Sequence, residues 1–217
     1  MSESPYRRAA TNHRVACHLY DEDVPSPTAI WTIGHSNHSF ERFAELLRSE
    51  RIEFIVDVRS FPYSRYAPQF NREQLEADVP RRAVRYLYLG AELGGRPTSE
   101  EHYDADGHAL YGLMSEQASF RKAIERLIDG ARRHRIALLC SEGDPSHCHR
   151  RLLVGKVLTG SGLELRHILT DGSVRVEAAV VLPTESGQCS LLDPQEDRWR
   201  STQSVSHRRR LSVSSSA

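Results

Sequence analysis

Short apolar runs alternate with longer amphipathic segments through the middle of this 217-residue chain. The runs at 29–33, 53–58, 84–89 and 136–140 have the length and apolar content of buried strands, and the segment at 115–134 repeats apolar residues at the helical period. Strands that alternate with helices at this spacing predict βαβ units, which build a mostly parallel sheet with helices on both faces. The pattern therefore predicts a single α/β domain of Rossmann-like type.

Composition changes mark the expected bounds of this domain. Residues 1–28 are polar and end in a proline-rich stretch, whereas residues 184–217 are poor in apolar side chains and end in a basic cluster and a serine run. Both compositions are typical of segments that cannot bury enough apolar surface to fold. We therefore expect a folded domain at 29–183 between a disordered arm and a disordered basic, serine-rich tail.

The charge balance and the cysteine count limit the possible partners and compartments. With 29 basic and 29 acidic residues the chain carries no net charge, so no global field favours nucleic acid. The four cysteines are too few and too irregularly spaced for a disulfide framework, which favours a reducing compartment. No apolar run reaches the ~18 residues of a membrane span, and the N-terminus lacks the apolar core of a secretory signal. We expect a cytoplasmic protein with no membrane partner, and the sequence leaves its oligomeric state open.

The stretch at 136–150 holds the densest group of reactive side chains. Its apolar start is typical of a buried strand, and the polar residues after it indicate a loop followed by a new helix. Asp144 suits the N-cap of that helix and Pro145 its first position, so we expect the helix to begin at 145. Backbone N–H groups and the helix dipole at such a start favour anions. The side chains near this junction are Cys140, Glu142, His147, Cys148, His149 and Arg150.

Polar or glycine-rich motifs follow four of the predicted strands. In sheets of this kind ligands bind outside the carboxyl ends of the strands, so these loops are expected to line one pocket. The candidate site residues are Gly34, His35 and Ser36; Asp57, Arg59 and Ser64; Gly94 and Gly95; and Cys140, Glu142, Cys148, His149 and Arg150. Motifs from distant parts of the chain would thus meet at one edge of the sheet.

At these positions the sequence resembles the domain-of-unknown-function 488 family. The matching pieces are residues 32–36, 57–64, 89–95, 139–142 and 148–150, which occur in the same order within about residues 30–170. The resemblance implies an α/β domain whose site is formed by these loops. It implies no particular reaction.

The first hypothesis is an enzyme, a hydrolase or a transferase, that acts on an anionic, nucleotide-like or nucleic-acid-derived substrate. Arginine forks bind phosphate and carboxylate oxygens, and glycines let the backbone approach a ligand closely. An alternative role for Arg59 is an ion pair with Asp57 that orients the loop. The residues expected to bind the substrate are Gly34, Ser36, Arg59, Ser64, Gly94, Gly95, His149 and Arg150.

Two kinds of catalytic group are open within this hypothesis. A thiolate at a strand end or helix start, Cys140 or Cys148, would act as a nucleophile. A carboxylate, Glu142 or Asp57, would act as a base or nucleophile, with His35 as an acid–base group. The interval after Cys140 is longer than the anion-wrapping loop of phosphatases and sulfurtransferases, and the charge of Glu142 would repel an anion. These two features favour the carboxylate.

A metal site is the second hypothesis. Cysteine and histidine are ligand types, but the chain has no paired C-x-x-C or H-x-x-x-H spacing. On a helix the adjacent Cys148 and His149 would point about 100° apart, so both would rarely bind one ion. We therefore predict no metal ligand and no cofactor, with zinc as the alternative.

A non-catalytic nucleic-acid-binding module is the third hypothesis. Aromatic and cationic residues interleave along the loop after the second strand, as they do on surfaces that stack bases. These residues are Arg59, Tyr63, Arg65, Tyr66, Phe70 and Arg72. Affinity for oligonucleotides that falls steeply with salt would support this hypothesis.

Overall fold

The six strands of the protein form a single sheet in a computed structural model that describes residues 28–177 and 199–206. Neighbouring strands pair in parallel, except that the edge strand β6 runs antiparallel to β5. The strands are β1 Ala29–Gly34, β2 Phe54–Asp57, β3 Arg85–Tyr88, β4 Ile136–Cys140, β5 Glu164–Ile168 and β6 Val174–Glu177. The expected α/β domain with a mostly parallel sheet is confirmed.

The strand order places β4 in the middle of the sheet. The order is β3-β2-β4-β1-β5-β6, so β4 lies between β2 and β1. It therefore differs from the 3-2-1-4-5-6 order of the dinucleotide-binding fold. In the register of the sheet Gly34 pairs with Cys140, and Asp57 pairs with Leu139. Because these strands end at the same level, the loops after β1, β2 and β4 leave the sheet side by side.

The side chains of β4 alternate between two apolar cores, one on each face of the sheet. Ile136 and Leu138 belong to the core that contains Phe120 of the long helix. Ala137 and Leu139 belong to the opposite core, which contains Phe43 of the first helix. Both faces of the strand are covered, which explains why its sequence is continuously apolar rather than alternating.

Helices cover both faces of this sheet. The first helix begins after Ser39, whose hydroxyl accepts a hydrogen bond from the backbone N–H of Arg42, as the N-cap pattern predicts. The segment at 115–134 is divided because Gln117 is extended and separates two helices. The helices are α1 Phe40–Ser49, α2 Arg72–Asp78, α3 Gly90–Leu93, α4 Tyr111–Glu116, α5 Ala118–Ala131 and α6 Lys156–Gly160, the last preceded by a π-helical turn at Arg150–Gly155.

The helix expected from residue 145 begins five residues later, so that prediction was wrong. Asp144 Oδ1 accepts a hydrogen bond from the N–H of Ser146 at 2.9 Å, which closes a local turn instead of capping a helix. The N–H of Cys148 then bonds the carbonyl of Pro145, and the π-helical turn starts at Arg150. Cys148 therefore lies in a turn ahead of the helix. Its side chain and that of His149 need not be separated by the ~100° between successive residues of a helix.

A C-terminal segment packs against the domain, which corrects the prediction that 184–217 lies outside the fold. Trp199 Nε1 donates to the carbonyl of Leu152 at 2.8 Å, and its ring meets Tyr111 edge to face. Ser201 is buried, and its hydroxyl accepts from the N–H of Ala109. Trp199, Ser201, an ion pair of Arg200 with Asp104 and the packing of Val205 hold this segment, and so few apolar contacts leave no periodic pattern in the sequence. The expected arm at 1–28, except residue 28, and the rest of that tail lie outside the described residues.

Within the two described ranges, none of the helices combines the length and the apolar character that crossing a membrane requires. The longest of them, α5, has fourteen residues. A helix that spans the hydrocarbon core of a bilayer needs about 20 residues.

We expect Trp199→Ala to lower the free energy of unfolding by about 2 kcal/mol, because it removes a half-buried ring and leaves the Leu152 carbonyl without its donor. Urea denaturation of the full chain measures this change. Thr202→Ala, in the same segment but exposed, is the matched control and should change stability by less than about 0.5 kcal/mol. Equal effects of the two substitutions would mean that the segment does not stabilise the domain.

Candidate functional site

A cleft of about 510 Å³ opens at the carboxyl ends of the strands. Its walls come from the loop after β2 (59–64), the loop after α3 (95–96), the loop after β4 (140–149) and the C-terminal segment (199–206). This volume is in the range of pockets that hold small ligands. The expected convergence of distant loops is therefore present for those after β2, β3 and β4.

The floor of this cleft is formed by Cys140, Cys148 and His149, which we call the CCH cluster. The two thiols are free and nearly inaccessible, with 5% and 3% of their residue surface exposed. His149 Nδ1 lies 3.7 Å from Cys140 Sγ and 3.9 Å from Cys148 Sγ. Cys140 reaches this position because it continues the alternation of β4 on the face that Ile136 and Leu138 occupy.

The orientation of the His149 ring is fixed from its other side. Nε2 lies 2.8 Å from the carbonyl oxygen of Val58, which can only accept, so Nε2 carries the hydrogen. Nδ1 is therefore the atom that faces both sulfurs. Gly95 packs directly on the ring, and a Cβ there would lie 2.6 Å from His149 Cβ and Cγ. A residue larger than glycine at 95 would displace the imidazole.

The CCH cluster is electrostatically coupled. The pKa of Cys140 falls well below its ordinary value because the Cys148 thiol hydrogen-bonds to it and His149 lies beside it, which together outweigh burial. The same hydrogen bond, together with burial, raises the pKa of Cys148. Burial would lower the pKa of His149, but the charge of Cys140 and the bond to Val58 raise it. Cys140 is thus the more acidic thiol of the pair.

Arg150 lies directly behind the cluster and does not face the cleft. Its side chain has no exposed surface. NH1 donates to the carbonyl of Glu142 at 2.5 Å, NH2 to that of Gly143 at 2.9 Å, and Nε to the hydroxyl of Thr32 at 3.4 Å. The sequence predicted that Arg150 would hold substrate, but its N–H groups bind the strand-exit loop and it does not line the cleft.

A buried polar chain continues from Arg150 into the sheet. Since Thr32 accepts from Arg150, its hydroxyl hydrogen is free to donate to His167 Nδ1, 2.7 Å away. His167 Nε2 then faces Glu177 Oε1 at 3.6 Å. Burial lowers the pKa of His167 to about 4, so the ring is neutral at pH 7. This chain links β1, β5 and β6 to the loop that carries the cluster.

Asp57 and Arg59 form an ion pair inside the protein, which is the alternative that the sequence left open. Arg59 Nε and NH2 donate to the two carboxylate oxygens at 2.9 and 2.6 Å, and Tyr86 donates to Asp57 Oδ2 at 2.7 Å. Arg59 NH2 also bonds the carbonyl of Phe70. Asp57 has no exposed surface, so its occupied carboxylate cannot serve as the expected base. Arg59 still lines the cleft.

The loop after β1 supports the site from below and does not line it. His35 stacks on Phe70 with ring centroids 4.6 Å apart, and its Nδ1 donates to the carbonyl of Ser36. Its Nε2 is buried without a hydrogen-bond partner among the described residues. Burial lowers the pKa of His35, so the ring is neutral and positioned against the core. Gly34 leaves no space for a Cβ, which would lie 1.7 Å from the Glu142 carbonyl oxygen.

The rim of the cleft carries polar side chains that remain accessible. Glu142 and His147 are exposed and border the opening, as does Ser64 from the loop after β2. Arg96 is also exposed at the rim, and its backbone N–H bonds the hydroxyl of Ser60. The expected Gly94 is buried beside that hydroxyl and does not line the cleft.

Several residues at the cleft were not among the candidates. Arg96 directly follows the glycine pair at 94–95, so its place in the sequence could have indicated a role. Tyr111 follows a polar, irregular stretch and gave no such indication. Ser201 and Gln203 come from the C-terminal segment, which no local pattern connects to the strand ends.

A second cavity, of about 490 Å³, lies between α1 and residues 79–84. Its floor is apolar, and arginines surround it. Its lining contains no thiol, imidazole or carboxylate. A third cavity, of about 610 Å³, contains the carboxylates of Glu100, Asp104 and Asp106 but no thiol or imidazole, so among these three cavities only the first combines thiols with an imidazole.

The CCH cluster is also the group of described residues whose ligand atoms could meet on one metal ion, since its three atoms lie within 4.8 Å of one another. The objection from the sequence, that Cys148 and His149 would point about 100° apart, assumed a helix at both positions. Cys148 precedes the helix, so that geometry does not apply.

Comparison with known families places the chain beside one of unknown function. The model of a family described as domain of unknown function DUF488 matches residues 39–157, more than half of the chain. The matched range contains the CCH cluster and the loops after β2 and β3. No curated protein and no solved structure matches.

We expect Arg150→Lys to lower the free energy of unfolding by about 2–4 kcal/mol, because one ammonium cannot reach two carbonyls and a hydroxyl at once. Arg151→Lys is the matched control, since Arg151 is adjacent but partly exposed, and its change should stay within about 1 kcal/mol. Urea denaturation of both variants measures the difference. An Arg150→Lys protein as stable as the wild type would show that the loop does not depend on the guanidinium.

We expect the free energy of unfolding to fall in acid, in part because His167 becomes protonated more readily in the unfolded chain. Its pKa is about 4 when folded and about 6.5 when unfolded, so the unfolded chain takes up the proton first. The neutral ring therefore contributes fully above pH 6.5, and this contribution is lost as the pH falls towards 4. Between pH 7 and pH 4.5 the wild type should lose about 2–3 kcal/mol more than His167→Gln, measured by urea denaturation at each pH. Parallel losses would assign the acid sensitivity to other groups.

Proposed function

The chain belongs to the DUF488 family, and from its cleft we propose that it is an enzyme, a hydrolase or a transferase, that acts on a small anionic substrate. The CCH cluster is the reactive centre of this proposal. One observation carries it: two close thiols and an imidazole, nearly enclosed by protein, meet an open cleft whose rim holds the exposed guanidinium of Arg96. Coupled, buried titratable groups that face a cleft are typical of functional sites.

Two arginines that line the cleft support an anionic substrate, although Glu142 and Asp144 line it as well. Arg59 lines one wall, and Asp57 holds its guanidinium in place through two hydrogen bonds. Arg96 is exposed at the rim, where its side chain is accessible to a ligand in the cleft. Arginine binds phosphate and carboxylate oxygens with paired N–H groups, so a phosphate or carboxylate is the preferred substrate group.

Of the groups that the sequence offered for a carboxylate mechanism, one remains accessible from the cleft. Both carboxylate oxygens of Asp57 accept hydrogen bonds from Arg59 and Tyr86, and His35 packs in the core. Glu142 alone stays exposed at the rim, where its side chain makes no hydrogen bond with the described residues. We assign Glu142 the role of acid–base group and place the reacting centre in the CCH cluster below it.

A nucleotide-like substrate fits the remaining features of the cleft. Its volume suits a ligand of that size. Tyr63 lines the cleft with 72% of its surface exposed, so its ring can stack on a base. The Rossmann-like relationship proposed for the fold would agree with this substrate class, although the strand order is different.

Nucleic acid is the second candidate partner, since the loop after β2 extends the same surface. Arg65 lies over the ring of Tyr66, which is 81% exposed, and Arg72 lies over Tyr88. Such pairs stack on bases in single strands. A binding surface here would bring a base or nucleotide within a polynucleotide to the cleft, and its affinity would fall steeply with salt.

A reducing compartment, the cytoplasm, suits this centre. Two free thiols this close would be oxidised in a secretory setting. Their role as a reactive pair requires that they stay reduced.

A thermal-shift screen over nucleotides, sugar phosphates and small carboxylates tests the proposal. A true ligand at 100 times its Kd should stabilise the wild type by about 2.7 kcal/mol. Arg96→Ala should weaken that ligand roughly 10-fold or more, because a charge-assisted bond is lost. Arg121→Ala, an exposed arginine on α5 away from the cleft, should not.

Turnover of the ligand found by this screen tests the reactive centre. Cys140→Ser should abolish turnover while the ligand still stabilises the protein, and Glu142→Gln should lower kcat more than it changes KM. If no anion stabilises the wild type, or if Arg96→Ala and Arg121→Ala bind it equally, the cleft is not the anion site.

A further inference from the structure

We propose that Cys140, Cys148 and His149 bind a thiophilic divalent metal ion, preferentially Zn²⁺. The fourth coordination position of the ion would be open to the cleft. This inference deepens the proposed function and rests on it for its catalytic meaning. Metal binding itself can be tested without any substrate.

The distances within the CCH cluster match a tetrahedral ion. Zinc lies about 2.3 Å from sulfur and about 2.0–2.1 Å from nitrogen, so tetrahedral angles separate a sulfur and a nitrogen ligand by about 3.6 Å. Cys140 Sγ and Cys148 Sγ lie 3.7 and 3.9 Å from His149 Nδ1. All three atoms lie within 4.8 Å of one another. Small side-chain movements would place them around one ion.

The imidazole is already oriented as a metal ligand. Its Nε2–H donates to the Val58 carbonyl, and metal-bound histidines commonly donate their second nitrogen to a carbonyl or carboxylate in this way. Gly95 packs against the ring and Arg150 fixes the loop between the two cysteines. The ligands therefore come from segments whose positions are set by contacts that do not need the ion.

The number of ligands indicates the kind of metal site. Structural zinc sites have four protein ligands, whereas catalytic sites have three and keep one position for water or substrate. The CCH cluster supplies three, and all of them line the cleft. Two thiolates and a neutral imidazole would balance the charge of a divalent ion. The fourth position would then face the rim, where Glu142 and Arg96 stand.

This arrangement also answers an objection raised by the sequence. A thiolate in the cleft and the nearby carboxylate of Glu142 would repel an anionic substrate. With the ion bound, the charges of the two thiolates are cancelled, and the open coordination position of the ion can take an anionic oxygen of the substrate as its fourth ligand. Glu142 can then remain at the rim as an acid–base group.

Metal content and a cobalt spectrum test the inference on the full chain. Protein purified under reducing conditions from zinc-supplemented medium should contain one zinc ion per chain. Replacement of this zinc by Co²⁺ should give intense visible bands of a tetrahedral ion and near-ultraviolet thiolate-to-cobalt charge-transfer bands. Co²⁺ should also protect Cys140 and Cys148 from alkylation, which peptide mapping by mass spectrometry locates.

Ligand variants identify the residues. Cys140→Ser, Cys148→Ser and His149→Ala should each weaken Co²⁺ binding by more than the roughly 10–100-fold that loss of an outer partner costs. The double variant Cys17→Ser/Cys189→Ser is the matched control, because it removes the two cysteines outside the described residues. It should keep both the ion and the spectrum. If a ligand variant does not fold, the wild-type spectrum and the protected cysteines still decide.

Three results would overturn the inference. The first is a fully reduced wild type that takes up no Co²⁺ with thiolate bands. The second is protection of Cys17 or Cys189 instead of the cluster cysteines, and the third is loss of the ion in the control variant. Failure of the proposed function is distinct, because a chain that binds the ion but no anion keeps this inference and loses the anion-processing role.

Discussion

The site depends on one buried guanidinium. Arg150 has no exposed surface, yet it holds two consecutive carbonyls of the loop after β4 and the hydroxyl of Thr32 on β1. A charge in the interior is tolerated only when its donors find acceptors, so these three groups are fixed relative to one another. Cys140 lies just before this loop and Cys148 just after it, so both sulfurs take their positions from the same contact.

The cleft accordingly has two parts with different properties. Its floor is buried and held by hydrogen bonds, among them that of His149 to the Val58 carbonyl and that of the Tyr86 hydroxyl to Asp57. Its rim carries exposed side chains, such as Arg96 and Glu142, that are free to move. A rigid floor suits bond making and breaking, because catalytic groups must be held in place. Accessible side chains at the rim can contact the parts of a ligand that lie outside the floor, and so can determine which ligand binds.

The sequence predicted the sheet and the meeting of loops, because both follow from the period of apolar residues and the shared direction of parallel strands. It did not predict which charged residues face the cleft. Arg150 and Arg59 both follow strand ends and both are buried, but only the fold determines that Arg59 borders the cleft and Arg150 does not. The start of the helix was missed because Asp144 and Pro145 suit a cap equally well as a tight turn. Trp199 was missed because one anchoring ring in a polar segment leaves no periodic pattern.

The segment that matches the family model is shorter than the sheet to which β4 belongs. The family match starts at residue 39, after β1, and stops at 157, before β5. Trimming the chain to those limits would remove the partner that pairs with β4 from Trp31 to Gly34 and would take Thr32 from Arg150. A middle strand would become an unprotected edge, with open backbone groups that invite aggregation. Boundaries for expression should therefore follow the sheet and include the strands on both sides of the matched segment.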